Sequence, residues 1–237
     1  MTEGAQPGGE GHSLYCAMPS APLTRAAAVL GVVVLAGLAW ATAGPSSPAA
    51  VTVPRAVAQT GPGLAGQFLV ATDALRAPPF ARTVIYMVRH DASGAMGLIV
   101  NRPVRDVPLA PLLRQFGLDD RGVTGNVRAH FGGPVERGEG FMLHTAEYAT
   151  QGTERVAGDI AMTPAPGVLS ALSDIARGAG PRKSLFAVGY AGWGPGQLEG
   201  EIERDAWITV PADPTLLFDE DHARKWDRAM ARRRLTI

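Results

Sequence analysis

The chain has 237 residues, 46% of them hydrophobic, and equal numbers of basic and acidic side chains, 22 of each. This length allows one good-sized domain with or without accessory segments, and the hydrophobic fraction argues against a disordered protein. A chain without net charge lacks the broad basic field that drives most nucleic-acid binding. The single cysteine, Cys16, precedes the region predicted to fold. We therefore expect no disulfide, thiolate metal site or catalytic thiol in the domain.

The chain begins with segments that differ from the rest in composition. Residues 1–22 are rich in Gly, Pro and Ser and are predicted to be disordered, and residues 23–43 form a hydrophobic signal or anchor segment. Its uncharged part, residues 26–43, is just long enough to span a bilayer, and Ala41-Thr42-Ala43 suits signal peptidase. We expect membrane anchoring or export through residues 26–43. The alternative is a hydrophobic tail without a targeting role on a cytoplasmic domain.

A Pro/Gly/Ala-rich linker is predicted at 44–63, followed by one domain at 64–237. Strands and helices within it do not alternate regularly, which favours an α+β fold over a doubly wound α/β fold. The predicted strands are 67–72, 83–89, 95–101, 127–131, 140–145, 156–162, 184–188 and 207–210. The predicted helices are 108–116, 166–177 and 221–234.

Local signals define some connections in this domain. Asp91-Ala92-Ser93-Gly94 has the length and composition of a hairpin turn between two strands. Pro103 and Pro108 are predicted to end the sheet, because proline cannot donate to a strand ladder. Asp106 is available to cap the helix that follows.

A glycine-rich stretch at 189–202 follows an apolar strand and leads into a helix. Its glycines favour a tight turn or a close backbone approach. It lacks the spacing of a dinucleotide fingerprint, so we expect no cofactor there. In a purely structural interpretation Gly194 caps the helix and Pro195 is its first residue. In a functional interpretation Trp193, Gln197 and Glu201 line a pocket for a small anion or a peptide.

The histidines of the domain are the next candidates for chemistry. Alternating strands could bring His90 and His144 together, and both are added to the candidate pocket. No H-x-x-x-H or H-E-x-x-H spacing occurs, so no metal site is expected. No G-x-S-x-G motif marks a nucleophilic serine either. Histidines in such positions more often make structural hydrogen bonds.

The C-terminal helix carries most of the clustered positive charge. It is the best candidate for a contact with nucleic acid or acidic lipid, although neighbouring acidic residues cancel much of its field. The alternative is a solvated helix face. No helix-turn-helix pattern accompanies it. Its basic residues are Arg224, Lys225, Arg228, Arg232, Arg233 and Arg234.

Motifs along 64–230 resemble those of the AlgH/YqgE family of bacterial proteins. The most specific is Gly189-Tyr190-Ala191-Gly192-Trp193-Gly194-Pro195-Gly196-Gln197-Leu198-Glu199. The other matching segments are 66–71, 80–86, His90, 94–103, 132–135, 140–144, Trp207, 211–213, 217–218 and Trp226. The resemblance implies one α+β domain, with a bifurcated mixed β-sheet folded into a pseudo-barrel and flanked by helices. It implies little about function: AlgH-like proteins are called transcriptional regulators, and no catalytic residues are established for the family. Members are usually short cytosolic proteins that lack the hydrophobic segment at 23–43.

Two functions from different classes follow. The first is a non-enzymatic domain that acts in regulation or binds an unidentified protein partner, with nucleic acid as the less supported partner. The second is small-molecule binding or hydrolysis at the pocket beside the 189–201 stretch. Its candidate residues are His90, His144, Trp193, Gln197 and Glu201.

Overall fold

A computed structural model describes residues 63–233, and the hydrophobic segment predicted at 23–43 lies outside them. The described chain contains ten strands and five helices. In chain order they are β1 (Gln67–Ala71), β2 (Val84–Asp91), β3 (Gly94–Ile99), β4 (Pro103–Pro108), α1 (Leu109–Gln115), β5 (Asn126–Phe131), β6 (Val135–Thr145), β7 (Glu154–Ala157), β8 (Ile160–Pro164), α2 (Gly167–Ala176), β9 (Ser184–Trp193), α3 (Gln197–Glu203), β10 (Trp207–Pro211), α4 (Pro214–Leu217) and α5 (His222–Arg232).

The sheet branches at β9. Its main path runs β10-β1-β2-β3-β9-β6-β8-β7, and β5 joins β9 from the side with β4 at its outer edge. The β5–β9 pair is parallel, whereas all other pairs are antiparallel. The predicted α+β fold with a mixed, bifurcated sheet is therefore confirmed.

Close backbone packing explains the glycines at the branch. Gly189 has φ +71°, and a Cβ added there would lie 2.5 Å from the carbonyl oxygen of Gly133. Real Cβ atoms essentially never approach another atom so closely, so only glycine fits. The close approach that the glycine-rich stretch predicts thus occurs between two segments of this chain.

Three apolar clusters fill the spaces around the sheet. One packs β1, β2 and β8 against α4 and α5, and includes the fully buried Phe68 and Leu217. The second contains Trp193 and Trp207 beside α3. The third lies between α1, α2 and β5. Each helix covers one part of a sheet whose two faces would otherwise meet water.

Several sequence-based boundaries are wrong. The sheet does not end at Pro103, because residues 103–108 form the edge strand β4. Proline is compatible with an edge strand, because one side of such a strand has no partner and needs no N–H donor. Asp106 does not cap α1 and instead accepts a hydrogen bond from Arg128 at 2.8 Å. The strand predicted at 156–162 is the hairpin of β7 and β8.

The helix after the glycine-rich stretch also begins later than predicted. Gly196, and not Gly194, is the residue before α3, and its φ of +74° explains the glycine. Pro195 therefore lies in the turn outside the helix. The turn between β2 and β3 agrees with the prediction. Within residues 63–233, no helix is long and apolar enough to cross a membrane.

Candidate functional site

Glu201 on α3 is the centre of a hydrogen-bonded network at the second apolar cluster. Its Oε2 accepts the indole N–H of Trp207 at 2.7 Å and that of Trp193 at 2.9 Å. Its Oε1 accepts from the Gln197 side chain at 3.0 Å. The side-chain amide oxygen of Gln197, Oε1, in turn accepts a hydrogen bond from the backbone N–H of Gly194 at 3.1 Å. One half-buried carboxylate thus connects β9, α3 and β10.

The electrostatics of this network favour an ionised Glu201. Burial works to raise the pKa of this carboxyl, but hydrogen bonds from Trp207, Gln197 and Trp193 outweigh it and hold the pKa below its usual value. Donors that point at a carboxylate stabilise its charged form. The arrangement therefore keeps a negative charge against two buried indoles.

His90 is attached to the same helix. Its Nδ1 accepts the backbone N–H of Leu64 at 3.1 Å. This leaves the proton of the neutral ring on Nε2, which lies 2.5 Å from Glu199 on α3. The structure thus brings four of the five predicted site residues to α3: His90, Trp193, Gln197 and Glu201.

The fifth residue, His144, belongs to a different network. It is fully buried on β6, where Nδ1 donates to the carbonyl oxygen of Thr145 at 3.0 Å. Nε2 then accepts from the Thr163 hydroxyl at 2.8 Å, and that hydroxyl also contacts Thr153. His144 and His90 have no partner in common. Both ring nitrogens of His144 are occupied, as expected of a structural histidine.

The predicted pocket beside residues 189–201 therefore has its polar atoms engaged within the protein. A ligand that used Trp193 or Glu201 would have to replace an existing hydrogen bond, and ligand binding there stays a prediction. Among residues 63–233, no group of three or more His, Cys, Asp or Glu side chains is arranged to hold a metal ion.

A second histidine pair was not singled out from the sequence. His130 on β5 and His222 on α5 contact edge to face, with ring centroids 4.8 Å apart. His130 Nδ1 donates to the carbonyl oxygen of Phe186. His130 Nε2 and His222 Nδ1 are buried and have no hydrogen-bond partner within residues 63–233. The pair borders a cleft of about 370 Å³. Its members are far apart in the chain, so no local motif could have revealed it.

Burial dominates the electrostatics around this pair. Burial lowers the pKa of His130 to about 4, and it also lowers that of His222. The neighbouring Lys225 is fully buried and donates to the carbonyl oxygens of Leu217 and Val100, at 2.9 and 3.2 Å. Burial lowers its pKa to about 8. The cluster therefore holds two neutral imidazoles beside one buried ammonium at neutral pH.

An apolar groove of about 420 Å³ lies on the other side of β5, between β4 and α1. Arg105 and Arg137 are its charged lining residues. Its other lining residues are Val104, Val107, Leu112, Ala129, His130, Phe131, Phe186 and Val188. Sequence reasoning missed the groove because it did not place residues 103–108 in a strand.

The basic charge of α5 is largely compensated within the domain. Arg224 and Arg228 pair with Asp221 and Asp219. Arg232 pairs with Asp213, and Lys225 is buried. Arg233 is exposed at the end of the described chain. The field that this helix presents to a polyanion is therefore smaller than its sequence suggests.

Fold and site together define a single α+β domain with a branched sheet. The AlgH-like family model matches residues 68–237. A UPF0301 protein of Jannaschia sp. is 46% identical over 169 residues, which cover 70% of this chain and 86% of the relative. One from Caulobacter vibrioides is 44% identical over 174 residues, or 73% and 88%.

The chain is also similar to solved structures. The solution structure of AlgH from Pseudomonas aeruginosa has a TM-score of 0.62 and 40% identity, and the match covers 76% of this chain and 93% of that one. A Corynebacterium diphtheriae protein with a TM-score of 0.56 and 23% identity shares the fold over 73% of this chain and 87% of that one. This chain belongs to the AlgH-like family.

Proposed function

We propose that the domain is a non-enzymatic interaction module that binds a partner protein on one apolar surface. The observation that carries this proposal is the position of the exposed large hydrophobic residues. Within residues 63–233 these are Val104, Phe116 and Leu118, exposed by 65%, 53% and 36%. All three fall in one short stretch of β4, α1 and the turn after it. We call the surface that contains Val104, Leu112, Phe116 and Leu118 the β4–α1 surface.

Clustered exposure of this kind differs from the scattered apolar residues that any protein surface has. Val104 and Leu112 line the same groove. Phe116 is the residue after α1, four positions beyond Leu112, which is the spacing of neighbours on one helix face. An apolar surface rimmed by polar residues is typical of a site that another protein covers.

The chemistry of the polar residues supports binding over catalysis. Within the described chain, no serine hydroxyl hydrogen-bonds to a histidine ring, and the threonine hydroxyl that does so, that of Thr163, is fully buried with His144 and out of reach of a substrate. The ion pairing of α5 favours a protein partner over nucleic acid. The alternative pocket at Trp193 and Glu201 has less support, because its donors and acceptors are already paired.

Site-specific photo-cross-linking tests the proposal. A photoreactive amino acid is placed in the full chain at Val104 or Phe116, and at the exposed control position Thr209 on β10. We expect the same protein adduct from positions 104 and 116 in cells, and none from position 209. The partner is then purified, and its direct binding should weaken at least tenfold with Phe116→Ser.

Two results would contradict the proposal. One is an adduct pattern at positions 104 and 116 that matches the pattern at position 209. The other is an adduct between two copies of this chain, with a dimer in light scattering that Phe116→Ser converts to a monomer.

A further inference from the structure

The groove of the β4–α1 surface has an apolar interior. Val107 on β4, Phe131 on β5 and Val188 on β9 come from the sheet, whereas Leu112 comes from α1. Its volume of about 420 Å³ lies within the range of sites that enclose small groups or a few side chains. Such a cavity gains most from apolar side chains that displace water.

The charges at the groove have one sign. Its lining contains two arginines, Arg105 and Arg137, and no carboxylate. Neither arginine lies within ion-pair distance of a carboxylate in residues 63–233, whereas Arg128 on the next strand pairs with Asp106 at 2.8 Å. A guanidinium prefers a carboxylate partner, with which it forms two parallel hydrogen bonds. The groove therefore presents two guanidinium groups that have no ion-pair partner in the described chain, beside an apolar cavity.

The edge of β4 does not favour a partner that simply adds a strand. Pro103 and Pro108 have no N–H group, and they stand at the two ends of this strand. Only a short run of backbone between them could pair with another chain. A partner must therefore bind mainly through side chains. Val104 lines the groove and Phe116 follows α1, and both are exposed apolar side chains that a partner with several anchors can cover.

We infer that the groove binds a peptide segment of the partner protein in which apolar anchor residues are flanked by carboxylates. The apolar anchors fill the space between Leu112 and Val188, and the carboxylates pair with Arg105 and Arg137. This inference rests on the proposed interaction function and specifies the chemistry of the partner.

Fluorescent peptides titrated into the full chain test the inference. One peptide has Leu and Phe anchors flanked by Glu, a second has Gln in place of each Glu, and a third has Lys. We expect the Glu peptide to bind, the Gln peptide to bind about tenfold more weakly, and the Lys peptide not to bind. Affinity for the Glu peptide should fall with added salt.

Variants of the groove separate charge from apolar contact. Arg105→Gln and Arg137→Gln should each weaken the Glu peptide by about threefold to tenfold and leave the Gln peptide unchanged. Arg76→Gln, an exposed arginine away from the groove, is the matched control and should have no effect. Leu112→Ser should weaken the Glu and Gln peptides alike.

The outcomes distinguish this inference from the function on which it rests. Equal binding of the Glu and Gln peptides overturns the acidic partner and leaves protein docking intact. Tight binding of dodecanoate, with no peptide bound, overturns the peptide and identifies a site for amphiphilic carboxylates. If no probe binds but the cross-linked partner is found, the inference fails alone. If neither is observed, both fail.

Discussion

The indole N–H of Trp207 donates to Glu201 at 2.7 Å, and this bond joins strand β10 to helix α3. The same oxygen also accepts from Trp193. One carboxylate thereby satisfies two buried indoles, each of which would otherwise lack a partner. Glu201 therefore links β9, α3 and β10 through hydrogen bonds.

Glu201→Gln should destabilise the fold by about 2–3 kcal/mol, because hydrogen bonds to a charged acceptor are stronger than those to an amide. Urea denaturation followed by tryptophan fluorescence measures the change. Glu203→Gln, at an exposed position on the same helix, should alter stability by less than about 0.5 kcal/mol. Equal effects of the two substitutions would show that the network contributes little.

The same carboxylate predicts that the stability of the fold depends on pH in the acidic range. Its pKa in the folded protein is below the unfolded value of about 4.5. Its contribution to stability is therefore present above that value and is lost as pH falls through the folded pKa. The Glu201→Gln variant should lose less stability than wild type on acidification below pH about 4.5. Parallel denaturation curves at several pH values would measure this.

Three glycines, on β9, before α3 and on β6, should differ greatly in their tolerance of alanine. Gly189→Ala should cost about 3 kcal/mol or more or prevent folding, because its Cβ would collide with the Gly133 carbonyl. Gly196→Ala should cost about 1 kcal/mol, since its φ is +74° but the space around it is open. Gly138→Ala, with open space and no positive φ, is the control. Thermal unfolding of the three variants tests this order.

Much of the fold could be predicted because its signals are local. The β2–β3 hairpin has its turn residues, and α2 and α5 have the periodicity of amphipathic helices. Strand β4 was missed since prolines at 103 and 108 indicate breaks, and only the pairing with β5 shows that they end an edge strand.

The candidate sites show the same limit. Trp193, Gln197 and Glu201 lie within one short stretch, so their proximity could be predicted, but Trp207 could not be assigned to them. His130 and His222 meet only through the packing of α5 against the sheet. The groove depends on a strand, a helix and β9, which no sequence period connects.

His130 predicts a loss of stability between pH about 6.5 and 4. Burial lowers its folded pKa to about 4, so in this interval the unfolded chain binds a proton that the folded protein rejects. Stability is fully present above pH about 6.5 and falls by up to about 3 kcal/mol toward pH 4. His130→Asn retains a donor for Phe186 and should flatten this slope. An unchanged slope would contradict the assignment.

The buried Lys225 predicts a change in stability at alkaline pH. Its pKa is about 8 in the fold against 10.5 when unfolded, so stability should rise from pH 8 toward 10.5 as the buried ammonium loses its proton. Lys225→Met should abolish this rise, whereas Lys183→Met at an exposed site should retain it. Chemical denaturation at pH 7.5, 9 and 10 would measure it. A flat wild-type profile would show that Lys225 remains charged at little cost.

The C-terminal end of α1 and the residue after it offer a direct comparison of a buried and an exposed apolar residue. Phe116 is 53% exposed, whereas Leu113 is fully buried. Phe116→Ser should change the free energy of unfolding by less than about 0.5 kcal/mol, because its ring already meets water. Leu113→Ser should cost about 3 kcal/mol or more, since it leaves a cavity and buries a hydroxyl. If Phe116→Ser destabilised as much as Leu113→Ser, Phe116 would belong to the core, and the β4–α1 surface would lose its best-exposed aromatic anchor for a partner.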